Sequence, residues 1–307
     1  LFQLLKYVPA FWGAIIIPAF VVLLMFAQPF IGKSEKGHRF NIGFLWCLLI
    51  GAGALTFLAF SEDRANKKHF AAVEEADWLA KRVVEIADKQ GIPPSGAVTL
   101  LREDHENRAR RLFSSNCASC HLYNGHDGRG FPVDSNQSAP DLAGVASREW
   151  LEELLDYDHY VSAKYFGGTA FKDGKMATKV LKKFDEKEKA LVPKVAALLS
   201  DIAGLPYQKP LSEKDREEGF DVFFDELGCI DCHDIEDEDE GSAPDLTGYG
   251  SRDWLTAVVG DPSHERFYGK DNDRMPSFAR DEKLTEEEIG ILVDWLRSKP
   301  STNSEVR

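Results

Sequence analysis

Apolar and polar positions divide the 307-residue chain into two contrasting parts. Phe11 to Ile31 and Phe40 to Phe60 are uncharged runs of 21 residues each. At about 1.5 Å per helical residue, either run reaches across a hydrocarbon core of about 30 Å. The pattern predicts two membrane helices joined by a short, net basic loop, Gly32 to Arg39. A secretory leader would be shorter, open on Met and basic residues, and lack a second span. Leu1 already lies in apolar sequence, so we expect the chain to be part of a longer polypeptide. Pro18 and Pro29 punctuate the first run, which membrane helices tolerate when neighbours satisfy the freed carbonyls. Gly51-Ala52-Gly53-Ala54 gives the second a small-residue face, either packed on another helix or turned to lipid.

The remainder is polar, with helical periodicity. From Ala71 to Lys89 the apolar positions Val73, Ala76, Leu79, Ala80, Val83, Val84 and Ala87 recur at i, i+3 and i+4, which predicts an amphipathic helix. Gly91-Ile92-Pro93-Pro94 ends it. We expect residues 63–104 to be a connector that docks on the following domains or on a neighbouring subunit.

Beyond it the pattern repeats. Ser138 to Leu151 (SAPDLAGVASREWL) matches Ser242 to Leu255 (SAPDLTGYGSRDWL), 104 residues later. Cys117-Ala118-Ser119-Cys120-His121 has its counterpart in Cys229-Ile230-Asp231-Cys232-His233, 112 residues later. The first copy therefore holds eight more residues, in the Gly-rich Tyr123 to Gln137 loop. Self-similarity of this length indicates a duplicated unit.

Each pentapeptide is Cys-x-x-Cys-His, the signature of covalent haem c attachment. Two thiols three residues apart on one helical turn reach the two vinyl groups of one porphyrin, and the adjacent His faces the iron as proximal ligand. A zinc site would need further Cys or His at ligand spacing, yet four of the five cysteines are already in these pairs. A redox dithiol needs no following His and would accompany a βαβ pattern, which is missing. Two haems c are expected. Cys47, alone in an apolar run, reads as an inert packing residue.

The order helix, haem motif, loop, Pro-Asp-Leu, helix, Met loop and final helix resembles class I cytochrome c domains, small all-α folds around one haem. The expected architecture is all-α: a membrane hairpin (1–62), the connector, and two tandem cytochrome c domains (105–207 and 208–301). The resemblance implies a distal thioether from Met176 and Met275, two of only three methionines. Met25 sits in a membrane run. Met275 is followed by Pro276, as in that family, whereas Met176 is followed by Ala177. His126, His159 and His264 are rival ligands that read by default as surface histidines. In the family a proline carbonyl fixes the proximal imidazole, a role that falls here to Pro140 and Pro244. Arg148 with Trp150, and Arg252 with Trp254, either approach haem propionates or serve as solvated neighbour and helix core. Tyr165-Phe166-Gly167 and Phe267-Tyr268-Gly269 are expected to wall the haems.

The first 60 residues carry a second resemblance. Leu1 to Pro9 (LFQLLKYVP), the span closing on Pro29-Phe30-Ile31, the basic loop and the second span are similar to the C-terminal half of cytochrome b. That family is the quinol-oxidising membrane subunit of bc-type complexes. Its Pro-Glu-Trp-Tyr motif and haem b histidines lie upstream of such a segment and are not in this sequence. A generic two-helix anchor is the alternative.

Charge narrows the partners. The net charge of −14 disfavours nucleic acid and anionic surfaces and suits basic proteins. Six carboxylates in the seven positions Asp234 to Glu240 form a solvated loop, a steering patch for a basic electron carrier or, more weakly, a calcium loop lacking the usual glycine. The basic Gly32–Arg39 loop is expected in the cytoplasm, with the haem domains on the periplasmic side of a bacterial inner membrane. Lys67 and Lys68 weaken the charge argument; haem c attachment on the outer face carries it. The resemblances imply the electron-transfer arm of a quinol:cytochrome c oxidoreductase. Its donor would be a Rieske-type iron–sulfur protein beside the rest of a cytochrome b complex, and its acceptor a soluble cytochrome or an oxidase. The alternatives are a dihaem subunit of a terminal oxidase or periplasmic dehydrogenase and, from another class, a dihaem peroxidase. No nucleophile or proton-transfer constellation marks the chain as a catalyst on its own.

Overall fold

A computed structural model describes residues 2–133, 138–235 and 241–300. Two compact units divide the chain at Phe70, and among the described residues there is no strand.

The first unit is a helical hairpin. A short α1 (Phe2–Tyr7) and a wide turn (Phe11–Ile16) lead into α2 (Ile17–Ile31), which α3 (Glu35–Ala65) answers in the opposite direction. Ser34 caps α3 by accepting the Gly37 N–H at 3.1 Å, and the Asn41 amide donates to the Gln28 carbonyl at 2.8 Å. These bonds set the turn. At the open end Lys6 and Tyr7 meet Glu62. The continuous helical stretches Phe11–Ile31 and Glu35–Ala65 are long and apolar enough to cross a membrane. Their apolar side chains point outward: Phe26 is 74% exposed and Phe57 73%. Met25 and Cys47 lie on that outer surface, so Cys47 is not packed within this chain as expected. No atom lies within 4 Å of where a side chain at Gly51 or Gly53 would begin, which leaves this face without a partner in the hairpin.

The second unit opens, from Ala71, within α4 (Lys67–Gln90) and continues with α5 (Ala97–Glu103). The docking of α4 differs from the expected apolar contact. Val73 and Val84 stay exposed, and charge holds the helix instead. Buried Glu75 accepts from Arg110 at 2.7 Å and Arg129 at 3.0 Å, Arg110 stacks 3.7 Å from the Trp78 ring, and Arg82 reaches Asp104 at 2.7 Å. A buried carboxylate is tolerable only with such partners.

Each repeat then supplies a first helix, a helix after the Pro-Asp-Leu stretch and a last helix. These are α6 (His105–Asn116), α7 (Arg148–Leu154) with a one-turn α8 (Tyr157–Tyr160), and α9 (Glu186–Ala203) in the first repeat. In the second they are α10 (Glu213–Asp221), α11 (Arg252–Gly260) and α12 (Glu286–Leu296). Equivalent residues start equivalent helices. Ser147 and Ser251 cap α7 and α11, each 3.1 Å from the following Trp N–H. The boxes Asp185/Glu188 and Thr285/Glu288 open α9 and α12, satisfying free amides at both ends of the motif.

The first and last helices pair across the repeats. α6 lies on α12, with Phe113 edge-on to Trp295 at 5.5 Å, Tyr123 stacked on Trp295 at 4.2 Å and Arg108 bonded to Glu287 at 2.8 Å. α10 lies on α9, where a side chain on Gly219 would meet the Leu198 Cβ at 2.9 Å. That close approach explains the glycine. No comparable packing joins α6 to α9 or α10 to α12 among the described residues. Within repeats, α7 packs on α9 and α11 on α12. The repeats meet again at Ala146 and Gly250, equivalent residues with φ of 64° and 69°. Arg297 seals this meeting by donating to the carbonyls of Ala203 (2.9 Å), Gly204 (3.0 Å) and Gly250.

Candidate haem-binding sites

α6 ends by winding directly into the first motif. The Cys117 N–H donates to the Phe113 carbonyl at 2.8 Å, and the His121 N–H to the Cys117 carbonyl at 2.8 Å. The second motif follows a wide turn (Val222–Glu226) and left-handed Gly228, and closes the same way, with His233 N–H on the Cys229 carbonyl at 3.0 Å. Both pairs of thiols and their histidine thus share a single turn.

Each imidazole is held from behind. His121 Nδ1 lies 2.7 Å from the Pro140 carbonyl, and His233 Nδ1 2.8 Å from the Pro244 carbonyl. A carbonyl only accepts, so Nδ1 carries the proton and Nε2 keeps its lone pair. Burial lowers both histidine pKa values, which keeps the rings neutral and ready to ligate. The prolines are placed by further matching bonds. Leu142 N–H donates to Leu122 O at 2.9 Å, and Leu246 N–H to Asp234 O at 2.8 Å.

Burial also pushes the Cys117 thiol up to about 12 and the Cys229 thiol up to about 11. The thiolate is the attacking form in thiol exchange, and burial disfavours it at Cys117 and Cys229. No cluster of three or more His, Cys, Asp or Glu fit for a metal ion occurs among the described residues. Paired thiols, a neutral imidazole with Nε2 free and a proline carbonyl behind it form a donor set that fits haem c.

The methionines are seated differently. Met275 lies in a loop clamped by Asn272, whose amide donates to the Met275 carbonyl at 2.9 Å and whose oxygen accepts the Met275 N–H at 3.2 Å. Met176 begins a short wide helical turn, Met176–Val180, and packs with Tyr160, Ala177 and Leu181. Both are half-buried.

Several expected neighbours have other partners. The Trp150 and Trp254 indoles donate to Asp141 O and Asp245 O, each at 2.9 Å. Arg148 donates to Lys209 O at 2.6 Å, and Arg252 to Asp294 at 2.7 Å. The helix-core alternative describes these tryptophans. Tyr165 stacks edge-on with Trp150, as Phe267 does with Trp254. His159 and His264 are exposed, but His126 is not the surface residue expected. Half-buried, it accepts the Gly128 and Gly130 N–H groups at 3.0 and 3.2 Å on Nδ1. Asp141 has a part the sequence did not reveal. Its carboxylate gathers the Asn124, Gly125 and Ala143 N–H groups at 2.8–2.9 Å, shaping the loop beyond the first motif. Of the acidic run, 236–240 lies outside the described residues; Asp234 accepts the Gly241 N–H at 2.7 Å.

An all-α body with two such motifs is a haem c electron carrier. Residues 107–197 and 217–300 each match the family model described as cytochrome c. Together they cover more than half of the chain, which therefore belongs to the cytochrome c family. No curated protein and no solved structure matches it.

Proposed function

We propose that the protein is a membrane-anchored dihaem cytochrome c that serves as the electron-transfer arm of a quinol:cytochrome c oxidoreductase. Cys117 and Cys120 would attach one haem and Cys229 and Cys232 the other, with His121 and His233 as proximal ligands and Met176 and Met275 as distal ones. Haem, when bound, supplies the one-electron chemistry. The chain supplies attachment, ligand orientation through Pro140 and Pro244, and burial. The observation that carries this reading is the duplicated clamp, a neutral imidazole held at 2.7–2.8 Å by a proline carbonyl beside two thiols. The sequence is divided as 1–62 anchor, 63–104 connector, 105–207 and 208–301 cytochrome c repeats.

The hairpin supports membrane attachment in a bacterial inner membrane. Its net basic Gly32–Arg39 loop belongs on the cytoplasmic face by the positive-inside rule, and its two ends and the haem-bearing part on the outer face. The likeness of the first 60 residues to cytochrome b supports a quinol-oxidising complex with a Rieske-type donor and a soluble cytochrome or oxidase as acceptor.

Two measurements test these layers. Intact mass should exceed the chain by two haems, and the Cys117→Ala/Cys120→Ala variant should lose one. Purification of the tagged protein from its native membrane should bring down b-type haem and an iron–sulfur signal, with quinol-dependent reduction of the c haems. A preparation holding only c haems overturns the quinol reading and leaves a dihaem subunit of an oxidase or dehydrogenase.

A further inference from the structure

We propose that the two repeats exchange distal ligands: the iron bound at His121 takes Met275, and the iron bound at His233 takes Met176. This rests on the preceding reading of both methionines as ligands and changes which site each completes. In the sequence each methionine follows its own motif, so simple order pairs Met176 with the first haem. The packing pairs them otherwise.

The first motif is an extension of α6, joined to it by the Cys117 and Ala118 N–H groups on the Phe113 carbonyl at 2.8 and 3.0 Å. It must go where α6 goes, and α6 lies on α12 of the second repeat. Met275 belongs to the core beside α12, built by Trp254, Phe267, Phe278, Ile289 and Val293. Leu112 of α6 packs into that core, whereas no residue of α10 or the second motif does. Arg274, next to Met275, lies within electrostatic range of Cys120.

The second motif lies in a core that leads on towards Met176. Phe223, Cys229 and Ile230 pack in a core with Trp150, Leu151, Leu154 and Phe166. Leu154, Leu155 and Phe166 of this core also pack against the Tyr160, Ala177 and Leu181 cluster that Met176 borders. α10 reaches this position because it crosses α9, on which α7 also lies. Cys117 and Ala118 share the same central core, so the contacts that discriminate are those at Met275, where Leu112 packs into the same core and Arg274 lies near Cys120. Met176 is then left to the second haem.

The test marks one haem while keeping both. Cys117→Ala leaves the first haem attached through Cys120 alone, and the retained vinyl group shifts its reduced α band to the red. Met275→Ala and Met176→Ala are then introduced separately into this full-length background. Loss of a thioether ligand turns a low-spin haem high-spin, read by ferric EPR and by carbon monoxide binding to the reduced form. Exchange predicts that Met275→Ala converts the red-shifted haem, half of the total, and that Met176→Ala converts the unshifted half. The reverse assignment overturns exchange while leaving methionine ligation intact. Conversion of the marked haem by both variants also overturns it, since pairing is then not one to one. If neither variant converts either haem, methionine ligation fails and exchange falls with it. Should an alanine variant not accumulate with both haems, Met275→His and Met176→His keep a low-spin ligand. The marked haem should then lose potential only with Met275→His, and a drop only with Met176→His refutes exchange.

Discussion

Replacing Gly250 with alanine strikes the point where the repeats touch. Gly250 has φ of 69°, a left-handed conformation that costs a residue with a Cβ about 1–2 kcal/mol. The new methyl would lie 2.5 Å from the Ala146 Cβ and 2.8 Å from the Ala203 Cβ. Neither neighbour has a flexible end to withdraw, and such overpacking costs about 1–3 kcal/mol. The gross penalty is about 2–5 kcal/mol. Burying one more methyl returns about 0.8 kcal/mol, and a stiffer unfolded chain about 0.4–1 kcal/mol. The net loss is about 0.5–3.5 kcal/mol. Guanidinium unfolding of the haem-loaded protein, followed by far-ultraviolet circular dichroism, should show a lower midpoint at unchanged slope. Ala146→Gly in the same chain removes one of the two opposing methyls and one left-handed alanine, so the double variant should recover part of the loss. The Ala203 contact prevents full recovery. A Gly250→Ala protein within about 0.5 kcal/mol of the parent, the range of ordinary surface changes, would refute the reasoning, as would a double variant with no recovery.

Other perturbations have equally definite outcomes. Glu75→Gln removes the charge opposite Arg110, whose own pKa is already lowered by burial. Leaving that guanidinium without its bonded carboxylate should cost about 3 kcal/mol, seen as a fall in thermal midpoint of about 6–12 °C. Trp295→Ala strips Tyr123 and Phe113 of their ring partner and should cost about 3 kcal/mol, whereas Trp46→Ala on the outer face of the hairpin should leave the same unfolding curve unmoved. Glu153 has a pKa lowered first by its hydrogen bond from Lys164, then by that from Tyr165. The unfolded chain therefore binds more protons, and stability present above about pH 4.5 is lost as acid lowers the pH through the folded value. Glu153→Gln should flatten that acid limb in a pH series of unfolding midpoints.

Much of this was legible in local sequence because the determinants are local. The Cys-x-x-Cys-His turn, the Ser-Arg-x-Trp caps and the Pro-Asp-Leu stretch each act within a few residues, and each is found in matching geometry. Uncharged runs of membrane length declared the hairpin. The docking of α4 was not legible, since periodicity registers Val73 and Val84 but cannot tell that Glu75 will find Arg110 and Arg129. His126 was misread for the same reason, its acceptor role depending on how a glycine-rich loop folds back upon it. The cross-pairing of first and last helices lay furthest from view. α9 and α12 carry equivalent boxes and similar apolar faces, so each suits either first helix, and the choice is made by three-dimensional connection alone. Gly219 in α10 is small where a helix crosses, but it does not say which helix.

The pairing of α6 with α12 also has a meaning in time. Arg108 and Glu287, which bond across it, are 179 residues apart, and contacts so distant in sequence form late. α6 and Cys117 are synthesised early, yet their packing partner α12 is made about 170 residues later. The second motif has the opposite history, because α9 precedes α10 and awaits it. During synthesis the first pair of thiols therefore passes through a long interval without its wall, while the second meets a partner helix already made. Loss of α12 would accordingly injure the first motif rather than the one nearer to it in the chain.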